Sequence, residues 1–223
     1  MNQDGMVRRA VAEAIGTALL LTAVVGSGIM AERLAAGNVA LALLANAIAT
    51  GGALAALILT FAPISGAHFN PLVTLALTLR GDVARAAALP YIAAQVIGAI
   101  LGVGLAHLMF GLPVLELSTH ARASAGEMLG EFLATFGLLG LVLSASRHAP
   151  AALPWGVAGY IAGAYWFTSS TSFANPAVTI ARALTDSFAG IRASDAPGFI
   201  AAEIVGALVA SFAFRWLLAE ARA

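Results

Sequence analysis

Two five-residue stretches constrain this chain more than any other feature: Asn70-Pro71-Leu72-Val73-Thr74 and Asn175-Pro176-Ala177-Val178-Thr179. Asn is a strong N-cap, because its side-chain oxygen accepts from the free N–H groups of a helix's first turn. Pro suits the first helical position, where no N–H is needed and φ is already helical. Asn-Pro therefore reads as a helix start, and here it occurs twice between longer apolar segments. A helix crossing a whole membrane would not start at either place. Two half-length helices that begin inside the membrane and meet there would.

The surrounding sequence is membrane-type. Of 223 residues, 61% are hydrophobic and 10% charged, where a soluble globular domain carries about 25% charge. The net charge is zero, so no bulk basic field favours nucleic acid. There is no cysteine, hence no disulfide framework and no thiolate metal site, and nothing calls for a cofactor. The 23 glycines suit close approach of helices in lipid. Arg8 and Arg9 followed by an apolar run resemble a signal peptide, but the run from Ala10 to Ala31 is long enough to span the hydrocarbon and reads as a retained first span.

Taken in order, spans are expected over roughly 10–31, 38–61 and 86–108, then 126–146, 153–169 and 198–218. The first half-helix is expected over 70–79, roughly 15 Å long. The second is expected over about 175–185. Glu13 and Thr17 lie on the first span, and Glu131 and Thr135 repeat that spacing on the fourth. Each half thus reads Glu-x-x-x-Thr, a second span, Asn-Pro-x-Val-Thr, and a third span. Three spans per half is an odd number, so the second half inserts upside down. The fold class expected is an all-α integral membrane protein: one domain over 1–223 built from inverted repeats at approximately 8–112 and 124–220, with six spans and two re-entrant half-helices. With the N-terminus in the cytoplasm, Arg8, Arg9, Arg80, Arg85, Arg147, Arg215 and Arg222 fall inside, against Arg33, Arg122, Arg182 and Arg192 outside. That bias favours both termini in the cytoplasm.

Half-helices entering from opposite faces bring their N-termini together, and unpaired N–H groups make a positive focus at the midplane that repels cations. The amides of Asn70 and Asn175 can donate to a passing oxygen, and carbonyls of the lead-ins 64–69 and 169–174 can accept. Small uncharged solutes suit such a path. Glu13 and Glu131 would cost several kcal/mol in lipid unless paired or protonated. Their symmetry points to carboxylates that pin the two lead-ins; a transporter-type proton relay is the alternative. Glu127 belongs at a span end, and Glu203 either snorkels or pairs. His68 is expected to hydrogen-bond within its lead-in rather than bind metal, and Tyr165-Trp166-Phe167 to be an interface or packing cluster. Arg182 is expected to cap the carbonyl end of the second half-helix; the other reading has it lean into the outer vestibule.

Together, Ser65-Gly66-Ala67-His68-Phe69-Asn70-Pro71, Asn175-Pro176-Ala177 and the two Glu-x-x-x-Thr pairs resemble the aquaporin (major intrinsic protein) family over the whole chain. The resemblance implies a passive channel in the lipid bilayer, a homotetramer with one pore per protomer, in a bacterial plasma membrane. Two positions depart from the family pattern. Leu72 replaces Ala in the first motif and adds bulk beside the constriction. Val178 stands where most of the family has the Arg of the selectivity filter. Counted without gaps from the Asn-Pro anchors, the other filter positions are Thr50, Gly163 and Ser172. That filter would be wide, with no aromatic wall and no fixed cation. The pattern is similar to a bacterial aquaglyceroporin-like branch linked to arsenic handling, whose solutes would be neutral arsenite, methylated arsenicals, glycerol-like polyols and water. A secondary transporter using the intramembrane glutamates and a water-specific channel are the competing readings; no nucleophile–base pair suggests an enzyme.

Overall fold

The computed structural model of the chain describes residues 3–219; Arg222 and the last residue of the second repeat lie outside them. Eight α-helices carry the fold: α1 (Gln3–Leu34), α2 (Val39–Ser65), α3 (Pro71–Arg80), α4 (Arg85–Phe110), α5 (Ala125–His148), α6 (Leu153–Phe167), α7 (Pro176–Arg182) and α8 (Ala196–Leu217). No strand occurs among the described residues. Helices α1, α2, α4, α5 and α8 are long and apolar enough to cross a membrane. Their outward faces are apolar as well, with Leu89 76% and Phe212 71% exposed, a surface that suits lipid rather than water.

The expected repeat is present in the packing. Helix α4 lies against α1, and α8 against α5. Both pairs come close at a glycine that faces the residue just after a buried glutamate. A Cβ on Gly98 would sit 2.2 Å from the Ala14 carbonyl oxygen, and one on Gly206 would sit 2.5 Å from that of Phe132. Without hydrophobic driving force in lipid, such small-residue contacts carry helix association. Three residues before each glycine stand Gln95 and Glu203, which are therefore counterparts.

Two elements are shorter than the sequence suggests. Helix α6 has 15 residues, too few to cross about 30 Å of hydrocarbon by itself. A 3₁₀ turn at 150–152 precedes it, and Thr168 turns extended to begin the second lead-in. Helix α7 ends at Arg182 after seven residues, not near 185. Carbonyls that would continue it are taken by other segments: Arg182 O accepts from Ile191 N at 3.2 Å, Ala183 O from Ser118 N at 3.1 Å and Leu184 O from Glu116 N at 3.0 Å. The loop 111–124 is thus folded onto the end of α7. Glu127 closes a capping box with Ser124 at the start of α5, as its place at a span end implies.

Candidate functional site

Asn70 and Asn175 cap α3 and α7 as their chemistry dictates. The Asn70 Oδ1 accepts from Leu72 N at 2.9 Å, and the Asn175 Oδ1 from Ala177 N at 3.0 Å and Val178 N at 3.4 Å. Pro71 and Pro176 occupy the first helical positions. The two amides then reach across the molecule. Asn70 Nδ2 donates to Ala174 O at 2.7 Å, and Asn175 Nδ2 donates to Phe69 O at 2.8 Å. Each amide carries two hydrogens, so one remains for a ligand, and both residues line the same cavity.

The lead-ins that deliver these caps are matched in backbone. Ala67 and Phe69 have φ of 51° and 50°, and Ser172 and Ala174 have 52° and 50°, at the third and first positions before each Asn. Left-handed backbone at non-glycine residues costs about 1 kcal/mol or more each and persists only where the surroundings hold it. Two buried carboxylates hold it here. Glu13 Oε1 accepts from Ser65 Oγ at 2.6 Å and His68 N at 3.0 Å, while Oε2 accepts from Phe69 N at 2.7 Å and Gln95 Nε2 at 2.8 Å. Glu131 accepts from Phe173 N at 2.8 Å and Ala174 N at 2.7 Å. Both side chains are fully buried, and neither lines the cavity. The pinning role fits this geometry, and a relay along the cavity does not. His68 shares a 3.0 Å contact between its Nδ1 and Thr74 Oγ1, inside its own lead-in and half-helix, while its side chain also borders the cavity.

A cavity of about 560 Å³ runs from one mouth beside Arg80, Asp82 and Arg147, past His68, Asn70 and Asn175, to Thr50, Ser172, Val178 and Arg182. At the first mouth Asp82 pairs with Arg80 and, at 2.9 Å, with Arg147. Burial raises the Asp82 carboxyl, but hydrogen bonds and charge from Arg147 and Arg80 outweigh it and hold the group below the usual carboxylate range. Near the other mouth, burial and then the charges of Arg122 and Arg182 keep the His120 ring below its usual range, hence neutral.

Of the four positions counted for the filter, Thr50, Ser172 and Val178 line the cavity and Gly163 does not. Gly163 is exposed on the outer face of α6. Tyr165, two residues on, is buried, lines the cavity, and lies 3.3 Å from Thr50 Oγ1 through its hydroxyl. A gapless count from Asn175 back to α6 crosses the turn at 168–171 and the left-handed residues Thr171, Ser172 and Ala174, where the rise per residue is not helical. The expected absence of an aromatic wall falls with Gly163. Of that triplet, Tyr165 packs in the buried core while also lining the cavity, and Trp166 and Phe167 are exposed, as an interface would have them. Leu72 is buried and is not among the cavity-lining residues, so its bulk is spent on packing rather than beside the path. Pro71, Pro176 and Ala177 are likewise packed inside.

Arg182 does not cap α7. It is 2% exposed, lies with its guanidinium 3.4 Å from the Phe173 ring centroid, donates through Nε to Ala189 O, and lines the cavity. Glu203 pairs rather than snorkels: it is fully buried, and its Oε1 accepts from Thr179 Oγ1 at 2.6 Å. Sequence reasoning missed Tyr165 and Gln95. The signal for Gln95 was available, since a lone amide on an otherwise apolar span needs a buried partner.

An inverted repeat whose two re-entrant helices face each other across a continuous cavity defines a helical membrane channel. The family model described as "Major intrinsic protein" matches residues 1–150. An aquaglyceroporin, AqpS, of Rhizobium meliloti is 52% identical over 222 residues, covering 100% of this chain and 95% of that protein. Aquaporin A of Dictyostelium discoideum is 32% identical, covering 93% and 77%. Among solved structures, the aquaglyceroporin of Plasmodium falciparum superposes with a TM-score of 0.70 at 21% identity, over 92% of this chain and 94% of that one. The chain belongs to the major intrinsic protein family, whose members are channels.

Proposed function

We propose that the chain is a passive channel for small uncharged, oxygen-bearing solutes: water, glycerol-like polyols and neutral arsenite, with both termini in the cytoplasm. The observation that carries this reading is the cavity itself, which passes both paired Asn residues and is bordered by neutral donors and acceptors, Thr50, Tyr165 and Ser172 among them. The free amide hydrogens of Asn70 and Asn175 can hand a solute oxygen from one half to the other. Thr50, Tyr165, Ser172 and Val178 form the filter, polar on three sides and apolar on the fourth. The Ser172 hydroxyl is buried with no protein partner, a free group for a solute hydroxyl. Near relatives support the polyol class, since the R. meliloti protein is an aquaglyceroporin by name. Arsenite joins the group through its chemistry, As(OH)3 being neutral and bearing three hydroxyls as glycerol does. The buried glutamates lie off the path, which speaks against the transporter reading.

Stopped-flow light scattering on proteoliposomes tests this. The wild type should pass water, glycerol and arsenite, and Val178→Arg should slow glycerol by about tenfold while sparing water. Tyr165→Ala should widen the path and raise glycerol flow, whereas Gly163→Ala should change nothing. A wild type that passes water alone, unaltered by Val178→Arg, would overturn the filter.

A further inference from the structure

Four arginines line the cavity, and their partners differ; one of them, Arg9, is engaged with Tyr91. Arg80 donates to Asp82, to Leu143 O and, at 2.7 Å, to Ser146 Oγ, and Arg147 is paired with Asp82. Those charges are compensated and held. Arg182 is otherwise placed. Its Nε donates to Ala189 O and its plane lies over Phe173, yet among the described residues no carboxylate comes within ion-pair distance and no hydrogen bond engages its two terminal nitrogens. Nearby Arg122 gives no compensation. It is cationic too, and is held by Gly190 O at 2.9 Å and Ser170 O at 3.2 Å, away from the cavity lining.

Val178 and Arg182 are four residues apart on α7, one helical turn, and so share a face. Both line the cavity. The fixed cation missing at Val178 is thus present one turn along the same wall. A guanidinium is protonated at neutral pH. In a cavity shielded from bulk water its field on a passing ion is far stronger than at a surface.

We propose that Arg182 is the charge-selectivity residue of this channel: it repels cations at the mouth beyond Val178. The inference rests on the channel reading above. The competing source of cation exclusion is the pair of half-helix N-termini at the midplane, and the two are separable.

The test compares the full-length wild type with Arg182→Gln, Arg182→Lys and the double variant Val178→Arg/Arg182→Gln, each reconstituted in liposomes and planar bilayers. Glycerol flow per inserted protein reports an intact pore; the reversal potential in a KCl gradient reports charge selectivity. Wild type and Arg182→Lys should exclude potassium. Arg182→Gln should admit it at least about tenfold more, at glycerol flow within about twofold of wild type. The double variant should restore exclusion, because the charge returns to the same face. Lys keeps the charge but loses the planar stacking on Phe173, so a purely structural role would make Arg182→Lys behave like Arg182→Gln, and that result overturns the inference. So does an Arg182→Gln channel that passes glycerol and remains closed to potassium, which would assign exclusion to the midplane. Should Arg182→Gln fail to fold, Arg182→Met is read in its place: potassium leakage at near wild-type glycerol flow supports the charge role, and retained exclusion removes it. A wild type that passes neither water nor glycerol sinks the channel reading, and this inference with it.

Discussion

The two halves of the molecule solve one structural problem with unequal means. In both, a buried glutamate on the first helix of the repeat holds a strained lead-in so that an Asn can cap a half-helix. The first half surrounds its carboxylate with neutral partners. Glu13 receives four donors, Gln95 Nε2 also reaches Thr74 Oγ1 at 2.9 Å, and Tyr91 donates to Ser65 O at 2.9 Å. The second half puts a second carboxyl, Glu203, where the first has Gln95. Its Oε2, the Thr135 hydroxyl and the Ser172 hydroxyl are buried without partners, against Gln95 Oε1 alone in the first half. The first half is a closed scaffold. The second retains unspent polar groups, and Ser172 and Arg182 among its residues face the cavity. The polar groups left open to the cavity thus lie where the hydrogen-bond network is least complete.

The largest effect that bears on this contrast is loss of the pins. Glu13→Ala strands four donors and should lower stability by roughly 3–6 kcal/mol, and Glu131→Ala, which strands two backbone donors, by roughly 2–4 kcal/mol. Unfolding in detergent, followed by circular dichroism, measures both; equal losses would break the contrast. Next, Glu203→Gln makes the second half like the first. An amide keeps the Thr179 contact, can donate toward the neighbouring Glu131, and should raise Tm by about 2–4 °C with solute flow unchanged. A fall in Tm would show that the second carboxyl is a needed member of its network.

The smallest effect concerns Asp195, which ties the loop 111–124 to the start of α8. Hydrogen bonds from the Arg192 side chain and then the Arg122 backbone N–H hold its carboxyl below the usual range. A carboxylate with a depressed folded pKa contributes stability that is present above the unfolded value of about 3.9 and is lost as pH falls through the folded one. Asp195→Asn should therefore lower Tm by about 2–4 °C at neutral pH, with the difference from wild type vanishing on acidification below about pH 4. A gap that persists in acid would assign the loss to geometry rather than charge.

Much of this was legible in the chain because the decisive signals are local. Asn-Pro at two helix starts, a glutamate on two apolar spans and the odd count of three spans per half follow from capping, desolvation and topology. Those features delivered the half-helices, the pins and the inverted repeat. What escaped depends on where a helix stops. Constant counting from Asn175 points to Gly163, but a turn and left-handed residues follow Phe167, and it is Tyr165 that lines the cavity. Arg182 was read as a cap because a basic residue at a helix C-terminus ordinarily is one. Here the loop 111–124 and Ile191 had already claimed those carbonyls, which left the guanidinium for the cavity. Neither outcome follows from residues within one turn of the position concerned.

The exchange of amides, Asn70 to Ala174 and Asn175 to Phe69, has a consequence for how the protein comes into being. The partners are 104 and 106 residues apart. The Asn70 amide and the Phe69 carbonyl have these partners only once the second lead-in and Asn175 are in place. Both contacts join residues more than 100 positions apart and form late, since distant pairings follow local ones. The cavity is lined by residues of both halves, so its wall is complete only once the second half has docked on the first.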